Sequence, residues 1–121
     1  MNSAQLISTR SDLFETARSV LLDHWAVVRV ADGMVQVEDD GERLFTLREF
    51  EDFDWDLYEP PEGGLLVDHS TLFACEAECR WDDLFVTIAR QIANDVDPLW
   101  VIDTNDRVWD AAQLDPATFH V

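Results

Sequence analysis

Residues 26–38 of the chain, AVVRVADGMVQVE, hold two apolar, β-branched runs with the pair Asp32-Gly33 between them. An Asp-Gly pair in this position is the strongest short-range signal for a β-hairpin. The stretch therefore predicts two antiparallel strands, at 26–31 and 34–38. A second turn at Asp39-Asp40-Gly41 leads into 43–47, which extends the hairpin to a three-stranded meander.

Two segments beside the meander have the apolar periodicity of amphipathic helices. The first covers 11–24, where Ser11 is placed to cap the start and Asp12 and Glu15 suit the positive end of the helix dipole. The second covers 81–94. Their apolar stripes recur at three- and four-residue spacing: Leu13, Phe14, Ala17, Val20 and Leu21 in the first helix, and Leu84, Phe85, Ile88 and Ile92 in the second.

The rest of the chain predicts further strands and loops. Alternation over 71–79 is typical of a half-buried strand, with Phe73, Cys75, Ala77 and Cys79 on one face and Glu76 and Glu78 on the other. A hairpin is expected at 99–102 and 108–109, a brief strand at 65–67, an irregular or short helical excursion at 48–64, and a closing turn and tail at 113–121. We expect a single domain, 1–121, of the α+β class. It would contain an antiparallel or mixed sheet of about five to six strands, with two main helices packed on one face.

Charge is the dominant property of the composition. The chain has 26 Asp and Glu against eight Arg and no Lys, a formal net charge of −18. Such a field repels nucleic acid and anionic membranes and speeds encounter with a basic protein. No apolar run is long enough to span a bilayer and 1–9 lacks the pattern of a secretory signal, so we expect a cytoplasmic protein. The absence of Lys beside many Ala, Val, Asp and Arg is typical of a GC-rich bacterial genome.

Motifs for catalysis or metal binding are weak. Cys75 and Cys79 would lie roughly 13 Å apart along a strand that rises about 3.3 Å per residue, too far for a disulfide, so we interpret them as small buried apolar side chains. Asp68-His69-Ser70 has the residue types of a catalytic triad, but a triad needs side chains that converge from different places. Neither His24 nor His120 has metal-ligand spacing. We therefore expect no metal, no cofactor and no enzyme; an uncharacterised hydrolase is the minority alternative.

The acidic residues are concentrated in the segment 38–62, which holds eleven of them against Arg43 and Arg48, a net charge of −9. Aromatic residues are interleaved with the acids, as in binding sites where anchors are ringed by steering charges. Phe50, Phe53 and Leu57 have helical spacing and are expected to pack on the core. The candidate partner-binding residues are Glu49, Glu51, Asp52, Asp54, Trp55, Asp56, Tyr58 and Glu59.

The small size, the acidity, the hairpins and the acidic-aromatic stretch EFEDFDWD at 49–56 resemble the immunity proteins encoded beside bacterial polymorphic and contact-dependent toxins. The resemblance implies an inhibitor that covers the basic active-site cleft of a cognate toxin such as a nuclease. Two alternatives stay open. One is another acidic binding or adaptor domain, including a DNA mimic with acids at phosphate-like intervals. The other is a salt-adapted domain, whose acids should cover all faces evenly.

Overall fold

The structure is a computed structural model, and it describes residues 3–50, 72–105 and 107–119, with the backbone alone for Phe50. Seven strands and two helices follow one another along these residues. In chain order they are β1 Ser3–Ser8, α1 Leu13–His24, β2 Val27–Ala31, β3 Met34–Glu38, β4 Leu44–Phe50, β5 Phe73–Cys79, α2 Asp82–Asp95, β6 Trp100–Ile102 and β7 Val108–Asp110. A short 3-10 turn, Ala111–Gln113, comes after β7.

The described strands form one antiparallel sheet in the order β2-β3-β4-β5-β1-β6-β7. The predicted α+β class with two main helices is confirmed. The sheet has seven strands instead of the expected five to six. Strands β2 and β7 are its two edges, and the meander β2-β3-β4 that starts at Asp32-Gly33 forms one side of it.

Strand β1 accounts for the difference in strand number, because the sequence predicts a helix as the first element and the structure has a strand before it. Ser3 pairs with Glu78 in β5, and Gln5 pairs with Ile102 in β6, so β1 lies inside the sheet. Its short sequence SAQLIS mixes polar and apolar residues without a clear strand signature. Its place is set by strands that are distant along the chain.

The main core lies between the sheet and the two helices, which pack on each other and on β5. Both predicted helical stripes face this core, and all their members are buried except Phe14, which is partly buried against it. On the opposite face of the sheet, Ile7, Ala74 and Ile102 form a second, smaller buried cluster. None of the described helices is long and apolar enough to cross a membrane.

The residues after β7 belong to the core. Leu114 and Phe119 are buried, and the Phe119 ring stacks on Phe85 at a centroid distance of 5.1 Å. Trp109 meets the same ring edge-on at 5.6 Å. The predicted closing turn is present at 116–118, and the described part of the segment 113–121 also contributes one of the largest buried side chains to the core.

Local differences from the sequence prediction occur at the ends of elements. Helix α1 begins at Leu13 and Asp12 takes the cap position, so the expected Ser11 cap was wrong. Strand β4 continues to Phe50, which places 48–50 in the sheet instead of the irregular excursion. Phe73 is 43% exposed at the start of β5, although alternation placed it on the buried face. The strand predicted at 65–67 lies outside the described residues.

Candidate partner-binding surfaces

Of the eight candidate partner-binding residues, the structure describes Glu49; Glu51, Asp52, Asp54, Trp55, Asp56, Tyr58 and Glu59 lie outside the described residues. The side chain of Glu49 is exposed near the end of β4. Its backbone N–H donates to the carbonyl of Gly33 at 2.8 Å, in the turn between β2 and β3. The chain thus leaves β4 beside that turn. The predicted packing of Phe50, Phe53 and Leu57 on the core also falls outside the described side chains.

Charge is unevenly distributed along the chain. Helices α1 and α2 together carry five acidic residues against two arginines, a net charge of −3. The segment 38–62, which has almost the same number of residues, carries −9. A surface adapted to salt would place acids on the exposed sides of the helices as densely as elsewhere. The acidity of this chain is therefore concentrated in one segment.

The described part of that segment borders a cleft of about 760 Å³. We call it the acidic cleft. It lies where the end of α1, the start of β2, the turn between β3 and β4, and the first turns of α2 meet. Its lining residues are His24, Trp25, Ala26, Val27, Glu38, Asp39, Asp40, Gly41, Arg43, Asp83, Leu84 and Thr87. Four carboxylates face one arginine in this set, so the lining has a net charge of −3 with His24 neutral.

Arg43 holds the wall of the acidic cleft together. Its Nε donates to Asp39 Oδ2 at 2.7 Å, and its Nη1 donates to both carboxylate oxygens of Asp83 at 2.9–3.0 Å. Oδ1 of Asp39 also accepts the backbone N–H groups of Gly41 and Arg43, at 2.9 Å each. The turn between β3 and β4 is thereby tied to the start of α2.

These contacts keep the carboxylates of the wall ionised. The pKa of Asp39 is lowered, first by the backbone hydrogen bond from Arg43 and also by the guanidinium of the same residue. The pKa of Asp83 is lowered by its hydrogen bond with Arg43, and the pKa of Arg43 is raised in return. A carboxylate that accepts hydrogen bonds in its charged form gives up its proton more easily.

Two acids of the cleft are less engaged. Glu38 is 3.7 Å from Arg29, and Asp40 is exposed with no cation in contact among the described side chains. The indole N–H of Trp25 donates to Gln91 on α2 at 2.9 Å, which fixes an aromatic ring beside these charges. The acidic cleft therefore combines fixed carboxylates, one carboxylate that contacts no cation among the described side chains, and apolar lining residues such as Trp25 and Val27. This suits a basic side chain that carries an apolar stem.

A second depression, of about 330 Å³, lies on the face of the sheet opposite the helices. Arg48 donates to Glu78 across it, and the amide of Gln36 donates to Thr46 at 3.0 Å. The pKa of the neighbouring Glu76 is raised, mainly by burial and then by its contact with Glu78. Most polar groups that line this depression hydrogen-bond to one another, so few of them are left to bind a partner.

The two cysteines are free and buried, as predicted. Burial raises the pKa of the Cys75 thiol to about 12, with a further contribution from Glu49. Burial also raises the pKa of Cys79, whose Sγ donates to the carbonyl of Trp81 at 3.4 Å. A thiol with a raised pKa is a poor nucleophile and a poor metal ligand.

Within residues 3–50, 72–105 and 107–119, no group of three or more His, Cys, Asp and Glu is arranged to hold a metal ion. Comparison with protein-family models, with curated proteins and with solved structures finds no match to the chain. Sequence reasoning counted Glu38, Asp39 and Asp40 in the acidic segment but missed the cleft, since its other walls come from distant parts of the chain.

Proposed function

We propose that this chain is an acidic inhibitor of a basic protein, and that it acts in the bacterial cytoplasm as an immunity protein. In this role it covers the basic cleft of a cognate toxin, such as a nuclease, with carboxylates in the positions that substrate phosphates would take. The observation that carries the proposal is the concentration of charge, −9 within 38–62 against −3 on the two helices. Salt adaptation gives no reason for that contrast.

The mechanism is electrostatic steering followed by close charge pairing. Negative potential around the segment attracts the basic partner before contact and raises the association rate, an effect that salt screens. In the complex, close charge pairs at such interfaces are coupled by about 1.5–7 kcal/mol. Trp55 and Tyr58, interleaved with the acids, are the aromatic anchors of the proposed interface.

The test uses the purified product of the adjacent reading frame as the partner. In a triple variant, Asp52→Asn, Asp54→Asn and Asp56→Asn remove three charges from the segment. We expect its association rate at low salt to fall at least tenfold, with the difference shrinking as salt is added. The measurement is stopped-flow association together with survival of a bacterial host that expresses the partner.

A matched control removes the same number of charges elsewhere through Glu15→Gln, Asp23→Asn and Asp97→Asn, all at exposed positions. We expect the control to bind within about twofold of the wild type. Equal effects of the two triple variants would overturn the assignment to 49–59. A wild-type protein that neither binds the neighbouring product nor protects the host would overturn the immunity function itself.

A further inference from the structure

Among the described strands, β2 forms one edge of the sheet. It pairs with β3, and no other described strand lies on its outer side. Every second residue of an edge strand directs its backbone N–H and C=O away from the sheet, where they can pair with another strand. Val27 is 48% exposed and Val30 is 52% exposed, so the side chains along this edge are accessible as well.

Natural edge strands are commonly protected by Pro, Lys, a bulge or an inward-pointing charge. The sequence of β2, VVRVA, has one Arg and otherwise apolar residues, and it pairs with β3 in an uninterrupted register from Val27↔Glu38 to Ala31↔Met34. The only charged side chain of the strand, Arg29, donates to Gln36 at 3.0 Å on the neighbouring strand. The edge is therefore suited to pair with an added strand.

The acidic cleft begins where this edge begins. Ala26 and Val27 belong to its lining, and Glu38, the register partner of Val27, supplies one of its carboxylates. An extended segment that lies along β2 therefore has one of its ends at the acidic cleft, whose lining also includes the exposed carboxylate of Asp40. The edge and the cleft form one continuous surface.

We propose that β2 takes up an extended segment of a basic partner as an added strand, and that an Arg or Lys of this segment enters the acidic cleft. Charge complementarity selects this occupant, because the cleft lining carries −3 and a second copy of the chain would bring another −18 to the same edge. The inference takes from the proposed function only the basic character of the partner. The residues that form its surface are different from those predicted at 49–59.

The geometry also fixes the direction of the peptide for each pairing mode. Strand β2 runs from the cleft at Val27 towards Ala31. An antiparallel added strand ends at the cleft, so its basic residues must be C-terminal, whereas a parallel strand needs them at its N-terminus. Basic residues opposite Arg29 would be repelled, so the middle of the added strand should be uncharged.

The probes are blocked synthetic peptides with a fluorescent label. One has the sequence Thr-Val-Thr-Val-Thr-Arg-Arg, and one has the two arginines at the N-terminus. A third has two glutamates in their place, and a fourth has a central proline that prevents strand pairing. We expect one of the two arginine peptides to bind at least tenfold more tightly than the glutamate and proline peptides. On binding, the amides of β2 should become protected from hydrogen exchange.

Three protein variants locate the site. Val30→Lys places a protective charge on the edge, and we expect it to reduce binding at least tenfold. Leu22→Lys makes the same change at a side chain on α1 that is 50% exposed, and should leave binding within twofold. Asp40→Asn should weaken the arginine peptide at least threefold.

The inference is overturned if neither arginine peptide binds, or if an arginine peptide binds without protecting the β2 amides from hydrogen exchange. It is also overturned if Val30→Lys and Leu22→Lys have the same effect on peptide binding. Sedimentation showing that β2 instead pairs with a second copy of the chain would overturn it as well. Because no toxin is used, failure here leaves the immunity function standing. If the toxin test fails instead, the binding of a peptide strand to β2 is still decided by the peptide measurements alone.

Discussion

Phe119→Ala tests whether the end of the described chain is part of the core. The ring is fully buried, stacks on Phe85 and meets Trp109 edge-on. Removing a buried phenylalanine side chain costs about 3–5 kcal/mol, through lost transfer free energy and the cavity that remains. The two aromatic contacts argue against the lowest part of that range. We expect a loss of about 4 kcal/mol, a large fraction of the roughly 5–15 kcal/mol that stabilises a typical domain.

The measurement is equilibrium unfolding in urea with circular dichroism, supported by a thermal melt. For a domain of this size about 4 °C is lost per kcal/mol, so Tm should fall by roughly 15 °C. Leu22→Ala is the control, since that side chain is half exposed and the change should stay within about 0.5 kcal/mol. A loss below about 1 kcal/mol for Phe119→Ala would refute the packing of this ring between Phe85 and Trp109.

Three further predictions concern single residues. Cys75 and Cys79 should react with a thiol reagent far more slowly in the native protein than in denaturant, because both are buried with raised pKa values; rapid labelling of the native protein would contradict this. Burial raises the pKa of Glu76 above the ordinary value of 4.5, so the wild type loses stability as pH rises from that value through the folded pKa. Glu76→Gln should therefore be the more stable at pH 7, and its advantage should shrink as pH falls through the folded pKa and be gone below about pH 4.5. A less stable variant at pH 7 would refute this explanation. Gly33 has φ +66, so Gly33→Ala should lower the free energy of unfolding in urea by about 1 kcal/mol through backbone strain. Gly41→Ala is the control, because φ is not positive at Gly41, and its loss should be smaller. Equal losses for the two variants would count against backbone strain as the cause.

Local patterns predicted the fold where local forces determine it. The turn at Asp32-Gly33 and the apolar stripes of α1 and α2 depend on residues within a few positions of one another, and each is found as expected. Strand β1 could not be recognised because its pairing partners, in β5 and β6, are far away along the chain. The extension of β4 to Phe50 was missed for the same reason, since its pairing with Ala74 supplies the register.

The candidate binding surfaces also have one part that the sequence predicts and one part that depends on contacts between distant residues. Composition alone identified an acidic segment from Glu38 onward, but composition does not assemble a cleft. Asp83 reaches the acidic cleft from α2, and Trp25 reaches it from the position just after α1. Arg43 joins the turn between β3 and β4 to α2 through ion pairs that no spacing rule encodes. A usable signal was present: Arg43 is one of two cations within a strongly acidic stretch, and the five N–H donors of a guanidinium can bind more than one carboxylate.

The interior position of β1 constrains the order in which the molecule can fold. Ser3 meets Glu78 and Gln5 meets Ile102, so β1 cannot complete its pairing until most of the described chain has been synthesised. Contacts of such long separation slow folding, because the intervening loop must close before they form. The β2-β3-β4 meander, whose contacts are local, can form much earlier. Nascent chains would thus present the β2 edge well before the sheet is joined through its centre.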